Sequence, residues 1–548
     1  MNMKKIFIGA AWPYVNGDLH IGHLAGYLLP ADIFSRFCRL CGYETLMVSG
    51  TDCHGTPITV EADKRGVKPE DIVNEYTPKI HYLLKLYNLT FDIFTSTTTE
   101  NHKKITQEFF LRLLKNGYIF KAKQPQYFSP EENRFLPDRY VEGKCSFCGG
   151  EEQRGDQCEK CGRVLNPGEL INPVSKLTKK PVILKETEHY FLDYAKLQPF
   201  IEDYVKKQKH WRKWVYEESL AWLKEGLKPR AITRDLDWGI EIPEKEIPEE
   251  MKLESFEHKR FYVWFEAVIG YFSASVEWAN KNNKDFREFW QNEDCLHYYF
   301  MGKDNLSFHT LFWPGQLIGQ HMNFNLPYFP WVNNFLFLEG QKFSKSRGII
   351  IDSVELGEKY GPDYVRFYII SILPENKDAD FRWKDFEEKI NSELNDNLGN
   401  FFQRVFAFYK EKLGNEINNK EYDNEIIEKI KNVYEEIKKI IFLGEETKSF
   451  NLILDLVREG NKYLEKNEPW KKEKEFAEKI IFNSLLLISN LTYLLNPFLP
   501  NFSSEMRKRI GLEEINYETG KDKYLFNFEE VERIKVDSLE PLFKKIKV

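Results

Sequence analysis

AAWPYVNGDLHIGHLAGY, residues 10–27, joins a strand to a helix, and the rest of the reading depends on it. The residues around its start, KKIFIGAA (4–11), are short, apolar and rich in Ile and Phe, as a buried parallel strand requires. Pro13 and the Asn16–Gly17 pair are turn residues. Asp18 is placed to cap a helix starting near Leu19. His20 and His23 are three apart and so share one helix face. Gly22 between them removes a side chain where a flat ligand could approach, and the N–H groups of a helix start favour an anion. The stretch therefore asks for a phosphate ligand with a ring over Gly22. Two incidental histidines at a helix start would read the same way, so a partner motif is needed.

The chain has 548 residues, room for about three domains. An apolar content of 42% with 15% aromatics excludes a disordered chain. A net charge of −7 argues against a non-specific coat on DNA. It leaves open a nucleic-acid partner met on a local basic face. KKQKHWRKW (206–214) is the candidate, although the solvated face of an amphipathic helix is the preferred reading of it. The first strand begins directly after MNMKK, which fits no signal peptide. The best apolar run, IIFNSLLLISNLTYLLNPFLP (480–500), is broken by Asn483, Asn490 and Asn496 and ends in Pro497 and Pro500. It is expected to be a buried helix and not a membrane span. A soluble, cytoplasmic protein is expected.

Four of the eight cysteines, Cys145, Cys148, Cys158 and Cys161, stand in CSFCGGEEQRGDQCEKC as two C-x2-C pairs nine residues apart. Thiolate pairs on tight Gly-turned knuckles suit tetrahedral zinc. With all four positions filled by protein, such a site is structural. A redox dithiol needs one pair, not two, and a disulfide reading lacks a secretion signal. Cys38 and Cys41 have no second pair and are expected to be inert thiols.

Along the chain, residues 1–117 alternate strand and helix, and Asp52 and His54 follow the strand YETLMVSGT, at the end where α/β sheets place ligands. Residues 118–232 are richer in Pro and Gly and hold the four cysteines, as an insertion between two halves of one sheet would. The α/β texture returns over 233–330 and continues into a linking region, 331–385. Residues 386–548 are charged and helical in period, as in a helix bundle.

The partner motif is GQKFSKSRG (340–348). Lys342, Lys345 and Arg347 are cations on a loop hinged by Gly340 and Gly348, and Ser344 and Ser346 add hydroxyl donors. Two lysines three apart on such a loop can fold over a triphosphate and stabilise charge that grows in a transition state. HIGH (20–23) with KFSKS (342–346) resembles the signature pair of class I aminoacyl-tRNA synthetases. AWPYVNGDLHIGH, DCHGTPI, the four-cysteine insertion, FYVWFEAVIGY and GKDNLSFHTLFWP are similar to the methionyl-tRNA synthetase family, in that family's order and over essentially the whole chain. The segment 118–232 is too short for the editing domain of the Leu, Ile and Val enzymes.

The resemblance implies a Rossmann-like parallel-sheet catalytic domain in two halves, a zinc-binding connective insertion, a linking region with the KFSKS loop, and an α-helical anticodon-binding domain. It implies that ATP, taken with Mg2+, and L-methionine give methionyl-adenylate, and that tRNA(Met), initiator and elongator, then accepts the methionyl group. His20, His23, Lys342 and Lys345 would contact phosphates, with Ser346 beside them, Gly22 under the adenine and Arg234 near the reacting phosphate. A surface ion pair of Arg234 with Asp235 or Asp237 is the alternative for that residue. Phe343 replaces the Met of the family motif. Tyr14, Trp264, Val268, Tyr271 and His309 match the methionine pocket, whose soft thioether favours aromatic walls. Tyr14 and Tyr271 could offer hydroxyls to the sulfur, and Asp52 would pair with the α-ammonium. Asn400, Arg404 and Trp470 match the residues that read the anticodon by edge bonds and stacking. With no second cysteine knuckle and no appended tRNA-binding barrel, one zinc and a monomer are expected.

Overall fold

The computed structural model describes residues 5–155, 158, 160–161, 165, 167–343, 350–515, 517, 526–531 and 534–548. Strand β1 (Lys5–Ala10) is the centre of a five-stranded sheet with β2 (Glu44–Thr51), β3 (Ile93–Ser96), β4 (Cys295–Gly302) and β5 (Pro327–Asn333). The order is β3-β2-β1-β4-β5, and every pair is parallel. Helices cover both faces, so β1 and β2 are buried almost from end to end. The strand order reverses between β1 and β4, and a doubly wound sheet opens its ligand crevice at the carboxyl ends of such a pair. The expected α/β class is borne out. β5 runs across position 330.

The insertion lies between the helix Glu100–Lys115 and β4. Its long antiparallel pair, Ile119–Ser129 with Ile183–Leu192, keeps register from Ile119↔Leu192 to Phe128↔Ile183. Val141–Cys145, flanked by Gln153–Arg154 and Leu170–Ser175, forms a smaller sheet. Tyr127, Leu136, Val141 and Leu170 there belong to a small core separate from the main one.

The C-terminal helices are Asn424–Ile440, Glu446–Asn467, Lys474–Leu495 and Pro500–Arg509. The long apolar run is buried in Lys474–Leu495, as expected. Its asparagines are satisfied inside the bundle: Asn483 donates to Glu421 O at 2.9 Å, and Asn490 donates to Glu529 O at 3.0 Å. No helix among the described residues is long and apolar enough to cross a membrane. Helical structure does not continue to the end. Beyond Arg509 the described residues form neither helix nor strand. That segment has isolated apolar anchors instead of a helical stripe: Phe526, Ile534, Val536 and Phe543 are buried in the main core.

The basic run 206–214 is not one solvated helix. Lys206 and Lys207 close the helix Tyr194–Lys207 and pair with Glu202 and Asp203. The chain then turns, Trp211 and Arg212 are buried, and a new helix starts at Lys213.

Candidate active site

The cleft opens at the predicted place. It has a volume of about 350 Å³ and is lined from β1's end by Trp12 and Tyr14, from the next helix by His20, Gly22 and His23, and from β2's end by Asp52. Trp264, Val268, Tyr271, His309, Lys342 and Phe343 complete the wall. Thus Tyr14, Trp264, Val268, Tyr271 and His309 meet Asp52, His20, Gly22, His23 and Lys342 in one cleft. Lys345 and Ser346 lie outside the described residues.

The helix begins at Ile21, two residues later than expected, and its cap is His20. The Gly22 N–H donates to His20 Nδ1 at 3.1 Å, and the His20 N–H donates to His23 Nδ1 at 3.2 Å. Asp18 instead pairs with Lys79 at 3.0 Å. Because His20 Nδ1 accepts, the hydrogen of its neutral ring sits on Nε2, where a phosphate oxygen can take it. Gly22 is required by crowding: a Cβ there would lie 2.8 Å from the His20 ring. The helix widens into a π-turn, Leu24–Leu28, and continues as Leu29–Leu40. A second π-turn, Phe308–Phe312, carries His309 on the opposite wall.

Trp264 stacks on Phe308, centroids 4.3 Å apart. His309 Nδ1 donates to Asn305 O at 3.0 Å, since a carbonyl can only accept. Its Nε2 therefore accepts from the Tyr271 hydroxyl at 2.8 Å. Burial lowers His309 to about 4 and keeps it neutral. The Tyr271 hydrogen is thus committed to His309, and Tyr271 faces the pocket without a hydroxyl donor to offer. Tyr14 packs closely on Gly55, where a Cβ would lie 2.2 Å from its ring.

Asp52 is buried, and its Oδ1 has no hydrogen-bond partner. Burial and the charge of Glu266 push its carboxyl well above the usual range. Glu266 is fully buried between two imidazoles, 3.2 Å from His54 Nδ1 and 2.6 Å from His102 Nε2. Burial pushes Glu266 up, and the two imidazoles outweigh it, lowering it to about 2. His102 is held in turn by Ser273 at 2.8 Å. The sequence reading missed Glu266, His102 and Ser273. The available signal was a glutamate inside the apolar run FYVWFEAVIGY, which needs a buried partner.

Arg234 does not line the cleft. Its guanidinium lies over the Tyr262 ring at 4.1 Å and donates to Thr233 O at 2.9 Å. The surface ion pair is not what holds it, because Asp235 is engaged by Lys259 and His189, and Asp237 by His258.

Far from the cleft, the Arg404 guanidinium sits 5.6 Å from the Trp470 ring, and both line a hollow of about 250 Å³ with Pro469 and Phe408. Trp470 is half exposed, and Asn400 is exposed one turn before Arg404 on the same helix.

The four cysteines converge. Their sulfurs all lie within 4.8 Å of one another, and four sulfurs around a tetrahedral zinc stand ~3.8 Å apart. The Cys161 N–H donates to Cys158 Sγ at 3.4 Å, as befits a thiolate. The cluster fits a metal with no position open to substrate.

Comparison with known proteins agrees with this geometry. A family model described as tRNA synthetases class I (M) matches residues 6–406, and one described as the anticodon binding domain of methionyl tRNA ligase matches residues 414–548. The methionine–tRNA ligase of Roseiflexus castenholzii is 40% identical over 523 residues, covering 92% of this chain and 87% of that one. That of Bifidobacterium animalis subsp. lactis is 40% identical over 532 residues, covering 93% and 84%. The fold matches that of Mycobacterium tuberculosis methionyl-tRNA synthetase in complex with methionyl-adenylate, with a TM-score of 0.79 at 21% identity over 99% of this chain and 100% of that one. The chain belongs to the methionyl-tRNA synthetase family of class I aminoacyl-tRNA synthetases.

Proposed function

We propose that the cleft between β1 and β4 holds L-methionine and ATP side by side and divides the work among the residues named above. The reaction is ATP, L-methionine and tRNA(Met) to methionyl-tRNA(Met), AMP and diphosphate, through methionyl-adenylate. The observation that carries the assignment is Asp52: a buried carboxylate with an unpartnered oxygen, at the base of an aromatic pocket that abuts a helix start. An α-ammonium satisfies that oxygen. Trp264, Val268 and Tyr271, with Tyr14 and His309, then take the thioether chain.

The methionine carboxylate faces the helix start, where His20 and His23 take phosphate oxygens and Gly22 lies under the adenine. Lys342, Lys345 and Ser346 close on the triphosphate with Mg2+, and Arg234 swings from Tyr262 toward the reacting phosphate. No protein nucleophile is needed, because positioning and electrostatics carry the step.

Asn400, Arg404 and Trp470 read the anticodon of initiator and elongator tRNA(Met). Residues 1–117 and 233–333, the second bound moved to the end of β5, make the catalytic halves, 118–232 the connective insertion, 334–385 the link and 386–548 the anticodon domain. Cys145, Cys148, Cys158 and Cys161 hold one structural zinc. The enzyme acts in the cytoplasm as a monomer. Pyrophosphate–ATP exchange with each amino acid in turn tests the reading. Methionine alone is expected to support exchange; exchange with another amino acid, or with none, would sink it.

A further inference from the structure

The carboxylate of Asp52 has no tether of its own. Its Oδ1 lacks a hydrogen-bond partner, and the charge of Glu266 acts against it in a buried site. Like charges repel strongly where the dielectric is low. Such a carboxylate turns away unless the backbone that carries it is fixed. Whatever aims Asp52 must therefore act through its backbone.

That backbone is held at successive groups. The Asp52 N–H donates to Pro13 O at 2.9 Å. Cys53 is gripped on both sides: its N–H donates to Thr97 Oγ1 at 3.0 Å, and its carbonyl accepts from Trp238 Nε1 at 2.6 Å. Cys53 and Thr97 are buried, so a lost partner would not be replaced by solvent. The ring of Trp238 also meets that of His54 edge to face, with centroids 5.4 Å apart. Trp238 thus contacts both residues that follow Asp52.

Trp238 reaches this loop from 185 residues along the chain. It follows the short strand Thr233–Asp235, which pairs with Lys259–Phe261. Bonds on either side of it, Leu236 N–H to His258 O at 2.7 Å and Phe261 N–H to Ile240 O at 2.9 Å, fix its segment to that stretch. The indole therefore works from a rigid base. Trp238 stands outside the cleft wall and can act on a substrate only through the loop it holds.

We propose that Trp238 is a positioning residue for the amino group of methionine: its indole N–H, with the Thr97 hydroxyl on the other side of Cys53, holds the Asp52 backbone so that the carboxylate faces the cleft. The inference rests on the reading of Asp52 as the ammonium seat. Neither Trp238 nor Thr97 touches the substrate. Their contribution is preorganisation, because the cost of holding a repelled carboxylate in place is met on folding and not on binding. The consequence is selective. Without the indole N–H, Cys53 O is buried and unpaired and the Asp52 backbone is free to shift. Recognition of the ammonium suffers, whereas the contacts to the thioether chain do not pass through Cys53.

The test is equilibrium binding of three ligands to the whole enzyme. These are L-methionine; L-methioninol, which keeps the ammonium and lacks the carboxylate; and 4-(methylsulfanyl)butanoate, which keeps the carboxylate and lacks the ammonium. Trp238→Phe keeps an aromatic ring and removes the donor. It is expected to weaken methionine and methioninol about tenfold, the scale of one buried hydrogen bond, and 4-(methylsulfanyl)butanoate by less than about twofold. Thr97→Val, close to isosteric, should repeat the pattern and keeps the test open if the Trp238 variant fails to fold. Equal loss of all three ligands would make the pair structural only and overturn the inference, as would unchanged methionine binding in both variants. Asp52→Asn separates the two claims. If it leaves methioninol binding intact, the ammonium seat lies elsewhere, and the reading of Asp52 fails with the inference. If it loses methioninol while Trp238→Phe and Thr97→Val keep it, Asp52 is the seat and only the positioning role falls.

Discussion

The imidazole of His20 lies flat on the ring of Phe343, with centroids 4.8 Å apart and planes 11° apart. Phe343 also comes within 3.7 Å of the position a Cβ on Gly22 would occupy. Phe343 is therefore docked on the residue that caps the helix at the cleft. Lys345 follows Phe343 by two residues in the sequence.

Lys345→Ala is expected to lower the rate of adenylate formation on the order of a hundredfold or more. The dissociation constants for ATP and methionine should move far less, because only binding that strengthens in the transition state lowers the barrier. Phe343→Ala removes an aromatic pair worth about 1 kcal/mol and should slow the same step about fivefold. Rapid-quench adenylation at saturating ATP reads both. A Lys345→Ala enzyme that keeps its rate and loses only ATP affinity would make Lys345 a ground-state anchor.

The metal prediction follows from the separate small core around Tyr127 and Val141. Purified protein should hold one zinc per chain, and Cys158→Ser should lose it. Because the cysteine sheet is not part of the main core, metal loss should add an early melting transition and leave the main one in place. Metal analysis giving none or two per chain contradicts the single knuckle. One unsplit transition shifted as a whole would mean that the two cores fold together.

What the sequence disclosed and what it hid divide along the range of the interaction. The β1-to-helix join, the four-cysteine spacing and the buried run 480–500 are local patterns, and they were legible. The cap was misread, because Asp18 is drawn to Lys79, which stands 61 residues away. Glu266 and His102 are 164 residues apart, so no spacing links them. Phe343 stands in the motif in place of Met, and its stack on a ring in another element has no local sequence signal. Arg212 sat in a run whose charge suggested solvent. Only the tertiary fold brings it to Val332 O at the end of β5 and to Gly444 O before the helix Glu446–Asn467. The segment after Arg509 carries apolar anchors with no period, so a helical reading had nothing to contradict it.

If methionine's ammonium is seated on Asp52 as proposed, Asp52 and Glu266 should set the pH behaviour of its binding. Glu266 is lowered to about 2, so it stays ionised at neutral pH. Asp52 is raised well above the usual carboxylate value by burial and by the Glu266 charge, so the free enzyme tends to keep a proton there. The ammonium of methionine needs the anion. Binding must therefore expel that proton, and affinity should rise with pH through the raised Asp52 value and then level off. The stability of the free enzyme runs the other way. A carboxyl raised in the folded state contributes stability below its unfolded value, and that contribution is lost as pH rises through the folded one. Methionine should thus stabilise the protein more at the upper end of the range, by mass action on the folded state. Calorimetric titration in two buffers of different ionisation enthalpy, kept below the titration of methionine's own ammonium, reads the released proton directly. Asp52→Asn should bind weakly, with neither the pH dependence nor the proton release. Glu266→Gln removes the charge that holds Asp52 up, so the rise in affinity should move to lower pH. A wild-type enzyme whose methionine affinity is flat with pH, with no proton released, would show that Asp52 is already ionised and that the carboxylate pair plays no part in binding.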